Sequence, residues 1–513
     1  MSNMTESADN FPHFLGHVLS KGVRLWMANG QLHYTAPKGA LTREELAVLR
    51  NSKSQILAQL AIESDAGTAE DALGSRPRFH NAPLSSAQLA HWHTYWLASG
   101  PVVRGVSRGV RLVGQLNMNA LRTSFVNLIC RHDALRTQVW VDNGVPLQKI
   151  AQSCPFDLAA DDLTALSASS GAEEADRLIE RFLLTRINVA LDPLFSVRLI
   201  RLRYDEHLLI VAVEHVVSDG LSMTILFRDV LTGYAQASRA LPISLPSVQL
   251  QLSDYAACQH NARDVWVRQH GTYWNVRLAG CQRTIFPDSK VSSNTTGDEW
   301  GSVPVGIHRD MTKALREWCR RNQTTIVMVV FAAYAAAVLR WCGVSEAVFQ
   351  YIIGGRDSPK LENTIGCFAA ALHLRIALHD DDVFPIFSNR VKEEYCMASA
   401  HVDYSYIEAQ EPRPAFARNC FFNWLPEDRP PGPEDSQTTL VSTPFEIPSV
   451  ISSRDSEPGM VLREQGSEVV GALLFPTSRL SAHDMERFVR DFTHLIRNLV
   501  SKPAAQIKGL MVS

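Results

Sequence analysis

Leu208-Leu209-Ile210-Val211-Ala212-Val213-Glu214-His215-Val216-Val217-Ser218-Asp219-Gly220 is the stretch on which the reading of this chain turns. Leu208 to Val213 reads as an apolar strand, and a helix is expected from about Leu221 to Gln236. Between them an imidazole and a carboxylate stand four residues apart at a strand end, a position that faces clefts. His215 there can serve as a general base, because an unperturbed imidazole titrates at about 6.5. Asp219 caps the following helix or pairs with an arginine. The plainer reading is a satisfied core histidine beside an Asp-Gly helix start, so the rest of the chain has to decide.

Working outward, helical patterns at Gln88 to Ala98 and Met118 to Arg131 alternate with strand-like runs at Val110 to Leu112 and Phe195 to Arg201. That alternation predicts α/β layers. A Leu-, Pro- and Ser-rich break at Ala240 to Leu252 precedes a second set, with a strand at Ala347 to Ile353 after a long helix. A second lobe of similar size is expected. Pro426 to Gln437, rich in prolines and acids, reads as a surface loop, and no short-period repeat is visible.

The amino-terminal part is a separate miniature. Phe11, Phe14, Leu15, Val18 and Leu19 recur at helical spacing. Val23 to Met27 and Gln31 to Thr35 flank Asn29-Gly30, a strong hairpin signal because both turn residues take positive φ. Thr42 with Glu45 forms a capping box ahead of the apolar positions Leu46, Leu49, Ile56, Leu57 and Leu60. The expected divisions are a disordered 1–10, an α-β-β-α unit at 11–62, a flexible tether at 63–78, and two lobes at 79–245 and 246–513.

The length of 513 residues also asks for two or three units, and 46% hydrophobic with 20% charged residues marks an ordinary globular chain. Fifty Lys and Arg against 53 Asp and Glu leave a net charge of -3 without a block of like charge, so nucleic acid is not expected as a partner. The longest apolar run, Ile326 to Leu339, ends at Arg340 and is too short for a membrane helix, so it reads as a buried helix. Met1 to Asn10 shows no secretory signal, and a cytoplasmic protein is expected. Nine cysteines without a Cys-x-x-Cys pair predict reduced thiols rather than disulfides or a zinc knuckle. His91 and His93 flank Trp92 on a helix without a third ligand at metal spacing, so they read as surface or packing residues and no metal site is expected. Gly354-Gly355-Arg356 lacks the spacing of a nucleotide-binding loop and reads as a turn.

Glu214 to Gly220 resembles the His-His-x-x-x-Asp-Gly signature of nonribosomal peptide synthetase condensation domains, and further family motifs follow in order. Ser86-Ala87-Gln88 with Trp92 looks like the first, and Arg131-His132-Asp133-Ala134-Leu135-Arg136-Thr137 matches the second. Ser253-Asp254-Tyr255-Ala256 looks like the fourth, Ile365-Gly366-Cys367-Phe368 with Leu374-Arg375 the fifth, His401-Val402-Asp403-Tyr404 the sixth and Arg418-Asn419 the seventh. The resemblance implies two chloramphenicol-acetyltransferase-like α/β (α+β) lobes in a V-shaped pseudo-dimer, with His215 in a tunnel between them. It implies transfer of an acyl chain from a carrier protein's phosphopantetheine thioester to an amine or hydroxyl, with no cofactor bound by the chain itself. His215 matches the signature's second histidine and would be the base. Gly220 would leave room for substrate or offer a backbone donor to the oxyanion. Asp219 would be structural, through an ion pair for which Arg131 and Arg136 are candidates.

The chain departs from the pattern at two places. Glu214 stands where the family has its first histidine, and Ala369-Ala370-Ala371 replaces the usual Val-Asn-Thr, removing polar groups near the lobe crossover. The amino-terminal unit resembles TubC-type β-hairpin docking domains, which implies an upstream carrier protein or synthase C-terminal tail as partner. A free hairpin edge can accept an extended peptide. Lys21, Arg24, Trp26, His33, Lys38 and Arg43 are the candidate docking residues, and the basic excess suits an acidic tail. A docking unit and a two-lobed unit fill the chain, so a free-standing, monomeric condensation enzyme that releases its acyl chain to a soluble or carrier-bound acceptor is expected. The competing readings are a non-catalytic carrier-binding adaptor and an acyl-CoA-dependent acyltransferase of the His-x-x-x-Asp class, whose late Asp-Phe-Gly-Trp-Gly motif is not found here.

Overall fold

Strand β1 (Arg24–Ala28) pairs antiparallel with β2 (Gln31–Thr35), as the Asn-Gly signal predicts, and sets Trp26 opposite His33. Helix α1 (Arg43–Asn51) starts in the expected capping box, with Thr42 Oγ1 accepting from the Glu45 N–H at 3.2 Å and Glu45 Oε2 from the Thr42 N–H at 2.8 Å. The computed structural model describes residues 23–28, 31–35, 41–53, 81–97, 105–153, 156–185, 187–289, 300–356, 358–401, 419–426, 441–445 and 457–509. The helix expected at Phe11 to Leu19, Lys21, Lys38 and the tether lie outside those residues.

The first half of the remaining chain runs β3 (Asn81–Pro83), α2 (Ser86–Leu97), β4 (Val106–Val113), α3 (Met118–Arg131), β5 (Thr137–Asp142), β6 (Val145–Ile150), β7 (Ala159–Asp162), α4 (Ala168–Leu183), β8 (Phe195–Arg203), β9 (Glu206–Val213) and α5 (Gly220–Ala237), and the long helix α6 (Leu252–Arg277) follows. The predicted helix at 118–131 and the strand ending at Val213 are found where the periodicity places them. Strand β9 is central in its sheet, antiparallel to β4 on one side and β8 on the other. Leu208 to Val213 are all buried, which is why the strand is continuously apolar rather than alternating.

The second half runs β10 (Trp300–Ile307), α7 (Arg309–Arg321), α8 (Ile326–Trp341), β11 (Glu346–Ile353), β12 (Ala370–Ala377), α9 (Phe384–Ser399), β13 (Phe421–Leu425), β14 (Val441–Phe445), β15 (Gly459–Gln465), β16 (Glu468–Pro476) and α10 (Ala482–Ser501). Its six-stranded sheet has the order β10-β16-β15-β13-β11-β12. Helix α8 carries the apolar run of the sequence and lies in the core with Val330 to Leu339 essentially without exposed surface. No single helix among the described residues is long and apolar enough to cross a membrane.

Two exchanges tie the halves together. Strand β14, late in the chain, crosses to the first sheet and pairs antiparallel with β4. Leu361, Ile365 and Phe368 pack into the hydrophobic core built mainly by the first half. Each such buried side chain contributes about 1.5–3 kcal/mol, so the crossover between the lobes is part of the fold's stability as well as its shape.

Candidate active site

Strand β9 ends at Val213 and the chain turns through a single 3₁₀ turn, His215 to Val217, before Asp219 caps α5. Asp219 Oδ1 accepts from the Ser222 N–H at 2.8 Å, the N-cap bond that satisfies an otherwise unpaired helix donor. Both carboxylate oxygens also accept from Arg356, at 2.7 Å and 3.0 Å, and Oδ2 takes the Phe368 N–H at 3.2 Å. Arg356 continues to Ser222 Oγ at 3.0 Å and the Thr364 carbonyl at 3.2 Å, while its guanidinium covers the Phe368 ring at 4.5 Å. A buried, forked ion pair therefore bolts the His-x-x-x-Asp turn to the crossover segment.

This corrects the expected partners of Asp219. Arg131 pairs instead with buried Asp229 at 3.4 Å, which also meets His132 and Arg228. Arg136 is held by Asp133 at 2.6 Å, three residues away, and by the Ile129 carbonyl at 3.0 Å. Other acids, Asp229 and Asp133, pair with these two arginines in place of Asp219. The partner of Asp219 is Arg356, read from the sequence as part of a turn. Its placement depends on Gly355, whose φ of +59° lets the chain cross Phe368 with its Cα facing the carbonyl, where an added Cβ would sit 1.9 Å from that oxygen.

His215 lies deep but keeps some exposed surface, so it is not sealed from solvent. Burial pushes its pKa below the ordinary 6.5, and the backbone of the turn and the Asp219 carboxylate offset only part of that. The imidazole is thus neutral, with a lone pair available, at neutral pH. Gly105, just before β4, presses against the His215 backbone: a Cβ there would stand 2.2 Å from the His215 main-chain nitrogen. Glu214 is buried at 1% exposure, its N–H donating to the Leu194 carbonyl at 2.8 Å. Gly220 opens α5, and an added Cβ would meet only Leu425 Cδ2 at 3.8 Å.

His91, read as a surface or packing residue, packs on the candidate base: it stacks on His215 with ring centroids 3.8 Å apart and planes inclined by 14°. Cys367 joins them, its sulfur and one ring nitrogen of each histidine lying within 4.8 Å of one another. Among the described residues no disulfide joins the cysteines.

Two other motif residues brace this centre. Gly366 N–H donates to Ser222 Oγ at 3.0 Å, and Tyr255 packs edge-on against Phe368 at 5.1 Å. Ser86 N–H reaches Gln259 at 2.7 Å, and Asn419 accepts from the Thr284 N–H at 2.9 Å. His401 stacks on Tyr273 at 4.0 Å, while Val402 to Tyr404 and Arg418 lie outside the described residues. Of the docking candidates, Arg24, Trp26 and His33 lie on the hairpin and Arg43 opens α1.

Comparison with known proteins agrees with this layout. Residues 79–512 match the condensation domain family, and residues 12–61 match the TubC N-terminal docking domain. Gramicidin S synthase 2 of Brevibacillus brevis is 24% identical over 435 residues, covering 83% of this chain and 9% of the synthase, so the chain spans a small part of that relative. The EpoB NRPS cyclization-docking bidomain from Sorangium cellulosum superposes with a TM-score of 0.74 at 20% identity, covering 98% of this chain and all (100%) of that one. The X-domain from teicoplanin biosynthesis gives 0.75 at 22% identity, over 86% of this chain and 100% of the other. This chain therefore belongs to the condensation domain family and carries a TubC-type docking domain at its amino-terminal end.

Proposed function

We propose that this protein transfers an acyl chain, polyketide or peptidyl, from a carrier protein's phosphopantetheine thioester to a hydroxyl or amine, forming an ester or amide and releasing the chain. The observation that carries this reading is His215: a neutral, partly accessible imidazole on a turn fixed by the Asp219–Arg356 pair. His215 accepts the nucleophile's proton as oxygen or nitrogen attacks the thioester carbonyl. The departing thiolate, with a conjugate thiol of pKa about 8.5 by analogy with cysteine, needs no strong acid. An alcohol depends on the base more than an amine does, because a neutral amine is already nucleophilic. The phosphopantetheine arm arrives as substrate on its carrier, and the docking hairpin recruits the upstream carrier or synthase tail by strand addition. The layout resembles that of the condensation enzyme that releases the enacyloxin polyketide as an ester, and that favours an ester product.

His215→Ala tests the reading, with transfer from acylated carrier followed by intact-protein mass spectrometry. Transfer by the wild type and its loss in the variant are expected. Glu214 in place of the family's first histidine favours a second reading, a non-catalytic adaptor that positions carriers, and transfer in neither form would support that instead. Turnover of soluble acyl-CoA in preference to acylated carrier would favour an acyl-CoA-dependent acyltransferase.

A further inference from the structure

The imidazole of His215 has two rotatable bonds, and different neighbours restrict each. Gly105, the residue that leads into β4, lies so close that an added Cβ would sit 2.6 Å from the His215 Cβ, which limits movement of the His215 backbone and Cβ. The ring plane is set by His91, on α2, whose own ring lies against it at 3.8 Å and 14°. Turning the His215 ring about its Cβ–Cγ bond would drive an edge into that face.

The two histidines, with Cys367, have the chemistry of a thiophilic metal site, but the ring orientation opposes it. Imidazole lone pairs lie in the ring plane. In two nearly parallel stacked rings they run side by side and do not converge on one ion about 2.0–2.1 Å from both nitrogens. The stack is suited to orientation instead.

We propose that His91 is a positioning residue for the condensation reaction, its stacked ring fixing the plane in which His215 meets the attacking hydroxyl or amine. This rests on His215 being the base. Proton transfer requires the His215 lone pair to point at the donor, and a misplacement of about 1 Å at a catalytic group can cost about 100-fold in rate. What His91 supplies is a flat face, with no ionisation of its own required.

Two substitutions separate a flat face from mere bulk. His91→Leu keeps bulk without the face, and His91→Phe keeps the face without ring nitrogens. Leucine should lower kcat by about 10–100-fold with KM for acylated carrier within about twofold, whereas phenylalanine should keep kcat within about threefold of wild type. A leucine variant with wild-type kcat, or equal losses in both variants, would overturn the proposal. An independent readout is the NMR shift of the His215 Cε1–H in protein labelled at histidine Cε1, assigned by its disappearance in His215→Ala. The ring current of the stack should displace that shift in wild type and His91→Phe, and the displacement should vanish in His91→Leu. A shift unmoved by leucine overturns the stack while transfer remains; a displaced shift in a wild type that transfers no acyl group removes the catalytic reading and leaves the stack.

Discussion

Arg356 grips Asp219 through two hydrogen bonds, at 2.7 Å and 3.0 Å, with the two side chains only 7% and 3% exposed. Removing one partner of such a pair leaves an uncompensated buried charge, which costs about 3–5 kcal/mol. Arg356→Ala should therefore lower the urea midpoint by that equivalent. Adding Asp219→Asn should recover part of the loss, because the amide removes the charge and keeps an oxygen for the Ser222 N–H. A double variant whose loss equals the sum of the two single losses would contradict coupling between these residues.

Burial places the His215 pKa below 6.5, so the proton-accepting form persists in buffers where a free imidazole is already half protonated. The acid limb of kcat/KM should accordingly fall below pH 6.5, and a limb centred at or above 6.5 would oppose a buried base. Stability follows the same sign. His132, His215 and His373 all have folded pKa values pushed down by burial, His373 to about 4. Below 6.5 the unfolded chain binds protons that the folded chain refuses, so their contribution is full above that pH and is lost as the pH falls toward 4. Urea midpoints measured across that window should decline with acid, and a flat profile would contradict the assignment.

Gly105→Ala tests the backbone contact. A Cβ would stand 2.2 Å from the His215 nitrogen and 2.8 Å from its Cα, and backbone on both sides leaves no flexible side chain to yield. Overpacking of this kind costs about 1–3 kcal/mol. Activity should fall much further than stability, by about 100-fold, because the displaced atoms carry the imidazole. Comparable circular dichroism melting with wild-type kcat would show that the strand can move away freely.

What could be read in the sequence was local. The apolar run at Leu208 to Val213 and the capping box at Thr42 and Glu45 each concern residues within a few positions, where side-chain periodicity and orphan N–H groups act directly. Arg356 is 137 residues from Asp219, and nothing in its own neighbourhood marks it as a partner. The nearer candidates Arg131 and Arg136 were already taken by Asp229 and Asp133. His91 sits on a helix whose face toward His215 is set by tertiary packing of α2 against the turn, and helical spacing alone does not show which turn that is. Its neighbour Trp92 gave the only hint, as part of a motif.

Deleting residues 1–62 should weaken transfer from the natural carrier while sparing a small thioester mimic. The β1-β2 hairpin is a two-stranded sheet, so among the described residues both edges remain free for strand addition. Its loss should raise KM for the carrier with little change in kcat. Equal losses with carrier and mimic would mean that the hairpin supports the catalytic unit's fold rather than recruitment.

Gly220 separates a need of the protein from a need of the substrate. An alanine Cβ there would find only Leu425 Cδ2 at 3.8 Å, an ordinary contact, so packing does not require the glycine. Because Gly220 is the first residue of α5, Gly220→Ala should leave stability unchanged or raise it by about 0.4–1 kcal/mol through a less flexible unfolded chain. If the space belongs to the acyl group or its oxyanion, the same methyl should lower kcat/KM by about tenfold or more, since positioning errors at the reacting carbonyl act on the transition state. A fully active, equally stable alanine variant would free Gly220 of any part in transfer and leave the oxyanion to other donors.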